Sequence, residues 1–365
     1  MSLLIRPPIQ SGDSASAARQ DAPYRVLRIS TNDMNAWDSY VRANAQGGPM
    51  HWAGWLGVLQ DVFAVEPLFL AAFDQSDALR GVLATYISSS LVGGRHGASL
   101  QGGILADDSQ AATALFENAM NACNRSNCKF LVLRGGQRPS TAEVGSIQVV
   151  HTLIDTSKPL DMLFGALKKK TRWLVRGCAG LDFNALEGTP SELEQFQRLY
   201  AQSQHRVGTP VPSRKFFPAI FKHFGKRVRL FSVSLQGQMI AGMVCVSDAT
   251  GWTSLYAARD PAPMAANNGY LLYWGVIEWM HKNNVLQFDL GRSAPGSGVH
   301  KFKSKWGGTD VYHDHLYYGN QASASIDNFK KIHSGYTLKQ RVWQALPPSL
   351  CNTLGPMLRR NLPMG

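Results

Sequence analysis

The chain has 365 residues, more than one hydrophobic core usually supports, and its length therefore predicts two domains. The composition is 44% hydrophobic and 17% charged, with 34 glycines and 18 prolines, which argues against disorder and favours a globular protein with many turns and strands. The net charge of +12 predicts an anionic partner, for which nucleic acid, a phosphorylated lipid or nucleotide sugar, and an anionic membrane surface all fit. The alternative is that the charge only keeps the protein soluble.

The N-terminal residues and the cysteines bear on localisation. The apolar start of the chain is interrupted by Arg6-Pro7-Pro8 and is too short for a signal peptide. No apolar run is long enough to predict a membrane span. Five cysteines without an export signal favour reduced thiols, and Cys123 and Cys128 lack the spacing of a zinc site. We therefore predict a cytoplasmic protein with no transmembrane segment and no bound metal.

The first half of the chain predicts strands, then a helix, then a strand. A polar lead runs to about Pro23, and folded structure is expected from Tyr24. Apolar periodicity predicts strands at 24–30, 67–73, 81–89 and 130–134, and helices at 32–40, with Trp37 facing inward, and at 109–123. A basic helix at 163–178 follows.

The second half repeats this order. A hairpin is predicted from strands 228–235 and 239–248 across Gln236-Gly237, with a third strand at 252–257. A helix at 269–282, capped by Asn267 or Asn268, and a strand at 286–290 complete the half. The repeated order predicts an internal duplication and is the order of the GNAT acyltransferase fold, although other α/β arrangements share it.

Several segments carry a more specific signal. Residues 288–293 read Phe-Asp-Leu-Gly-Arg-Ser, and a loop with two glycines leads to Lys-Phe-Lys-Ser-Lys-Trp-Gly at 301–307. This pattern resembles the C-terminal signature of the FemAB-type transferases. The basic run at 168–176 and first-half segments at 88–94, 102–106 and 132–134 resemble further parts of the family pattern, so the likeness spans roughly residues 50 to 320. Gly177-Cys178-Ala179-Gly180 departs from it, because relatives usually continue with a basic residue.

The resemblance implies an α/β (α+β) protein of two tandem GNAT-like lobes and an acyltransferase that forms an amide bond. The predicted parts are a flexible lead at 1–23, lobes at 24–157 and 158–324, the second similar to BioF2-like acetyltransferases, and a basic tail at 325–365. Fem enzymes move an amino acid from aminoacyl-tRNA to a peptidoglycan precursor, whereas similar proteins use acyl-CoA, so the donor stays open and no bound cofactor is expected. The FemAB-related branch associated with exopolysaccharide and PEP-CTERM systems is the most similar.

Asp289 and Arg292 are the first candidate site residues. Strand alternation places Leu286, Phe288 and Leu290 on one face and puts Asp289 on the other, beside a cleft at the strand end. A carboxylate there orients or deprotonates an attacking amine, and a guanidinium grips phosphate. The alternative is an internal ion pair between the two.

Basic and aromatic residues complete the predicted site. Lys301, Lys303 and Lys305 alternate as on a strand, so all three can face one anion or oxyanion. The family motif favours Lys305 as the catalytic residue. The alternative is that the three lysines form a solvated face. The resemblance also implies a catalytic role for Tyr256; the alternative is that this residue is only a buried aromatic. It further implies that Ser293 and one side of the basic helix bind substrate; the alternative for the helix is that its charges only keep the protein soluble. That side comprises Lys168, Arg172 and Arg176.

Three further features limit the function. The pyrophosphate-binding turn of CoA-dependent GNAT enzymes is absent, because residues 259–263 include two prolines, which lack N–H donors. His313 and His315 can share a strand face, but the sequence signals no third metal ligand. The tail either packs against a lobe, is partly disordered, or forms a membrane-surface helix.

Three functions therefore compete at this stage. The leading one is transfer of an acyl or aminoacyl group, with aminoacyl-tRNA or acyl-CoA as donor, to an amine on an anionic envelope or exopolysaccharide precursor. The second is an acyl-CoA-dependent N-acetyltransferase for a sugar amine or small molecule. The third is a non-catalytic basic module that binds RNA or an anionic polymer.

Overall fold

A computed structural model describes residues 23–30, 33–90, 94–178, 180–262, 267–333 and 338–360. The strands are β1 (Arg25–Arg28), β2 (Glu66–Phe73), β3 (Leu79–Ser90), β4 (Gly94–Ala106), β5 (Leu131–Gly136), β6 (Gly145–Asp155), β7 (Asp182–Leu186), β8 (Val228–Leu235), β9 (Gln238–Ser247), β10 (Gly251–Arg259), β11 (Gln287–Ser293) and β12 (Thr309–Tyr318). The helices are α1 (Met34–Ala43), α2 (Gly54–Val62), α3 (Ser109–Arg125), α4 (Leu160–Ala166), α5 (Lys169–Arg176), α6 (Pro190–Arg206), α7 (Phe216–Phe224), α8 (Asn268–Lys282), α9 (Gly298–Lys303), α10 (Ala322–His333), α11 (Leu338–Ala345) and α12 (Pro348–Arg359).

All twelve strands belong to one sheet, in the order β1-β2-β3-β4-β5-β12-β6-β11-β10-β9-β8-β7. Each half contributes a four-stranded antiparallel meander, then a helix, then a strand parallel to the last meander strand. The parallel pairs are β4–β5 around α3 and β10–β11 around α8. The α/β fold class and the duplicated order predicted from the sequence are confirmed.

The halves exchange their last strands at the centre of the sheet. β12, from the second half of the chain, pairs with β5 of the first half, while β6 of the first half pairs with β11 of the second. β6 and β12 also pair with each other along nine residues. The predicted boundary at residue 157 stays a prediction, because no cut along the chain separates strands that are exchanged in space.

Local signals account for the elements that the sequence predicted best. Gln236 and Gly237 have φ angles of 51° and 77°, the conformation that a two-residue hairpin needs, and they join β8 to β9 as predicted. Trp37 is buried and stacks on Phe69 at 5.4 Å between ring centres. The apolar face of α8, which includes Val276, is buried against the second half of the sheet.

Other predicted elements are wrong. Residues 301–305 are not a strand: the Ser297 hydroxyl accepts a hydrogen bond from the His300 N–H and begins α9, which continues as a 3-10 turn to Trp306. Leu286 precedes β11 and is exposed, so it does not share the buried face of Phe288.

The predicted cap of α8 is also wrong. Asn267 occupies the N-cap position without a side-chain bond, and the Asn268 amide instead donates to the carbonyls of Ile240 and Asp260. The described parts of the tail form α10, α11 and α12, and α11 and α12 pack on α6, which confirms packing against a lobe for these two helices. Among the helices of the described ranges, none has both the length and the apolar character needed to cross a bilayer.

Candidate active site

A cavity of about 1110 Å³ lies over the centre of the sheet, where the exchanged strands meet. Its floor is formed by β5, β12, β6, β11 and β10, so residues from both halves of the chain face it. The N-terminal end of α8 and the last residue of α12 reach its wall. The strand exchange thus positions the side chains described next.

A bulge in β11 brings Asp289 and Arg292 to the same face. Asp289 pairs with Leu153 and Arg292 with His151, so three steps on β11 match two on β6. Gly291 makes this geometry with a φ of +81°, which favours glycine. Simple alternation would have directed the two side chains to opposite faces.

Asp289 holds a histidine that the sequence analysis did not single out. The Asp289 carboxylate lies 2.6 Å from Nδ1 of His151 and also accepts a hydrogen bond of 2.7 Å from the Gly291 N–H. The His313 ring meets the His151 ring edge to face at 5.2 Å, and both rings line the cavity. The alternative of an internal Asp289–Arg292 ion pair is therefore not what the structure contains.

Three cationic side chains surround this pair. Arg292 and Arg134 both line the cavity, and within the described ranges neither lies at ion-pair distance from a carboxylate. Burial and the nearby Arg134 charge lower the pKa of Arg292 to about 10. The Lys303 ammonium donates to the carbonyls of Gly291 and Arg292 at 2.6 and 3.0 Å, and burial lowers its pKa to about 8. An uncompensated cationic wall of this kind favours an anionic ligand.

The comparisons with known proteins concern the fold and the class of enzyme. Residues 165–304 match the family model described as an acetyltransferase (GNAT) domain. This part of the chain therefore resembles a GNAT domain. No curated protein matches the chain. The predicted acyltransferase class is confirmed by the GNAT match.

Solved structures extend the likeness to the whole fold. FemX is similar with a TM-score of 0.61 at 12% identity, over 83% of this chain and 99% of FemX. The C-terminal domain of a putative lysylphosphatidylglycerol synthetase from Agrobacterium fabrum has a TM-score of 0.55 at 12% identity, over 84% and 98% of the two chains. A tandem GNAT protein from the clavulanic acid biosynthesis pathway has a TM-score of 0.52 at 13% identity, over 80% and 97%. The FemAB-type resemblance is confirmed as a likeness of fold.

The part of the chain that matches the family model contains a gap between two parallel strands, beside the His151–Asp289 pair. β10 and β11 pair only as far as Thr253 and Asp289, and beyond that point the two strands continue without pairing with each other. Unpaired strand edges expose N–H and C=O groups that can bind an extended, amide-bearing chain. The gap leads towards Gly269 and Tyr270 at the start of α8.

Tyr256 lies in this part of the chain after a second bulge, within β10 rather than at its end. It lines the cavity, and its ring packs edge to face against Tyr200 and Phe216 at 5.9 and 5.2 Å. Burial raises the pKa of its hydroxyl. Ser293 is buried but is not among the residues that line the cavity.

The remaining predicted residues lie outside the cavity lining. Lys301 is exposed, and the Lys305 ammonium lies 5.7 Å from the centre of the Phe302 ring. The Arg172 guanidinium donates to the carbonyls at the end of α4, and Arg176 lies over the Phe164 ring at 5.1 Å. The predicted roles of these four residues stay predictions.

Proposed function

We propose that this protein transfers an acyl or aminoacyl group to an amine on an anionic, phosphorylated precursor of the cell envelope or of an exopolysaccharide. The observation that carries the proposal is the Asp289-oriented His151 in a cavity where Arg134 and Arg292 have no carboxylate partner among the residues that the structure describes. A basic nitrogen beside an unneutralised cationic wall suits an amine nucleophile that belongs to an anionic molecule.

The proposed chemistry uses proton transfer and positioning. With the Nδ1–H of His151 donated to Asp289, the other ring nitrogen, Nε2, is free to accept a proton. The substrate amine attacks the donor carbonyl, a new C–N bond forms, and His151 takes the amine proton. The C–O bond of an aminoacyl ester or the C–S bond of a thioester then breaks, and the proton passes to the leaving group.

The cations bind and orient the acceptor. Arg292 and Arg134 hold its phosphate or carboxylate, while Lys303 fixes the Gly291 bulge that directs Asp289 and Arg292 into the cavity. Catalysis then depends mainly on proximity and on electrostatic stabilisation, without a covalent intermediate.

The donor is aminoacyl-tRNA or acyl-CoA, both of which are present in the cytoplasm, where the reduced cysteines favour placing this protein. The β10–β11 gap and the GNAT match support an acyl-CoA-dependent N-acetyltransferase as the second candidate. Pro261 and the residues around it offer few N–H donors for a pyrophosphate, which favours the first candidate.

Labelled donors test the proposal. Purified protein is incubated with aminoacyl-tRNA or acyl-CoA carrying an isotopic label in the acyl group, together with phosphorylated amino sugars or their lipid-linked forms. We expect label to appear in an amide with one of the donors, and His151→Ala to abolish that transfer. Salt-sensitive binding of RNA with no transfer from either donor would support the non-catalytic basic module instead.

A further inference from the structure

The last two helices carry an apolar stripe that no described residue covers. In α12 the exposed apolar residues recur at the spacing of one helix face. They are Leu350, Leu354, Met357 and Leu358. In α11, Leu338 and Val342 are four positions apart and are also exposed. Consecutive stripes on adjacent helices differ from the single exposed apolar residues found on most surfaces.

The opposite faces of the same helices are firmly packed. Trp343 and Cys351 are buried, and the Gln344 amide donates to the Arg206 carbonyl at 2.6 Å. A ring nitrogen of His205 lies 3.0 Å from the Leu346 carbonyl oxygen. Because the inner faces are held on α6 by these contacts, the outward stripes have a fixed place on the protein surface.

The charged side chains of α11 and α12 themselves have one sign. After Asp327 the sequence contains no further Asp or Glu, whereas basic residues continue to Arg360. Arg341 and Arg360 are exposed on or beside the two helices. Two helices that carry exposed apolar residues and arginines but no carboxylates of their own complement an anionic bilayer, where apolar side chains enter the interface and arginines contact lipid phosphates. We infer that α11 and α12 dock on the surface of an anionic membrane.

This docking surface adjoins the cavity. Arg359, the last residue of α12, lines the cavity wall, and within the described ranges its Nε is buried without a hydrogen-bond partner. A protein docked through α12 therefore has its cavity close to the lipid headgroups.

Vesicle sedimentation of the full chain tests the inference without any turnover. We expect binding to phosphatidylcholine vesicles that contain phosphatidylglycerol, weaker binding to phosphatidylcholine alone, and loss of binding at high salt. The variant L354S/M357S/L358S should bind at least about tenfold more weakly. Arg341→Gln with Arg360→Gln should weaken binding about tenfold or more, while Arg359 is left unchanged.

Val144→Ser with Leu286→Ser is the matched control, because these residues are 53% and 58% exposed but lie on other parts of the surface. Unchanged vesicle binding by the triple variant, or equal binding to both lipid mixtures, would overturn the inference. The inference would also be overturned if the wild type did not bind vesicles and was a dimer that became a monomer in the triple variant, because the stripes would then join two copies of the protein. If the triple variant unfolds, Met357→Ser alone is used. Failure of vesicle binding leaves the transfer assay unaffected, so the two proposals fail separately.

Discussion

His151 and Asp289 are 138 residues apart in the chain, yet a 2.6 Å contact joins them. Replacing His151 by Ala removes the proposed base, and we expect turnover to fall by about 10²- to 10⁴-fold. Asp289→Asn should lower turnover to a similar extent, because the amide oxygen keeps the Gly291 N–H bond while the NH2 group donates to Nδ1 of His151, which leaves the proton on Nε2 and removes the base. Steady-state kinetics at several pH values measure both effects. Wild-type turnover in His151→Ala would show that this ring is only part of the cavity wall.

Arg292 and Arg172 form a matched pair of guanidinium variants. Arg292 lines the cavity, and no carboxylate of the described residues lies at ion-pair distance from it, so Arg292→Ala should raise KM for an anionic acceptor by about tenfold or more and change the melting temperature little. Arg172 bonds two carbonyls at the end of α4, so Arg172→Ala should lower the melting temperature, and an unchanged KM in this variant would contradict the substrate-binding role that the family resemblance implies for it. Kinetics and thermal unfolding of both variants check this. Equal loss of stability in the two would indicate that Arg292 is structural.

Lys303 should make stability depend on pH. Burial lowers the pKa of its ammonium to about 8 in the folded protein, from 10.5 for an ordinary lysine. Between these values the unfolded chain binds a proton that the folded protein does not, so this group makes the free energy of unfolding rise with pH, by at most about 1.4 kcal/mol per pH unit. Lys303→Met should remove that rise. Denaturant unfolding at pH 8, 9 and 10 compares the slopes, and identical slopes would contradict the prediction.

At the level of single elements, the Gly291 bulge sets the direction of two site residues. A Cβ at position 291 would lie 2.2 Å from the Ser254 carbonyl oxygen, and the φ of +81° already disfavours alanine. Gly291→Ala should therefore cost about 3 kcal/mol or more and abolish activity. Gly296 is the control, because its φ is +72° but no atom lies within 4 Å of a built Cβ. Gly296→Ala should cost only about 1 to 2 kcal/mol. Equal unfolding free energies for the two variants would exclude the clash at residue 291.

The elements predictable from the sequence are those specified by local patterns. The Gln236-Gly237 turn and the broad apolar face of α8 each depend on neighbours in the chain. β4 was missed because its glycines interrupt apolar alternation. Lys301, Lys303 and Lys305 alternate as in a strand, but the Ser297 cap begins a helix there and directs Lys303 to the cavity. The Lys305 role implied by the family motif stays a prediction.

The site itself depended on contacts that no local pattern specifies. His151 lies in β6, a strand without a motif, and it reaches Asp289 only because β6 pairs with β11. Arg134 was recognised as part of a family segment, but its place in the cavity follows from the pairing of β5 with β12. Register between strands far apart in sequence is set by the whole sheet.

At the scale of the whole molecule, the exchange of β6 and β12 should couple the folding of the two halves. If the chain is cut after residue 157, β5 becomes an uncovered sheet edge in the first fragment and β11 becomes one in the second. β6 stays in the first fragment, but both of its neighbours, β12 and β11, are in the second. Uncovered central edges favour aggregation over a stable fold. The two halves are therefore expected to behave as one cooperative unit, despite the length of the chain.

We expect fragments 1–157 and 158–365 to be unfolded or aggregated when produced separately, and to form one soluble complex when produced together. The intact chain should unfold in a single transition, because loss of β6 or β12 removes a strand from both halves. Circular dichroism and tryptophan fluorescence report on the transition, and size exclusion reports on the fragments. The first half contains three of the nine tryptophans, Trp37, Trp52 and Trp55, and the other six lie after residue 157. Replacing those three by Phe therefore leaves fluorescence that reports on the second half alone. Two separate transitions, or a monomeric folded 158–365 fragment, would show that the exchanged strands contribute little to stability and that each lobe folds alone.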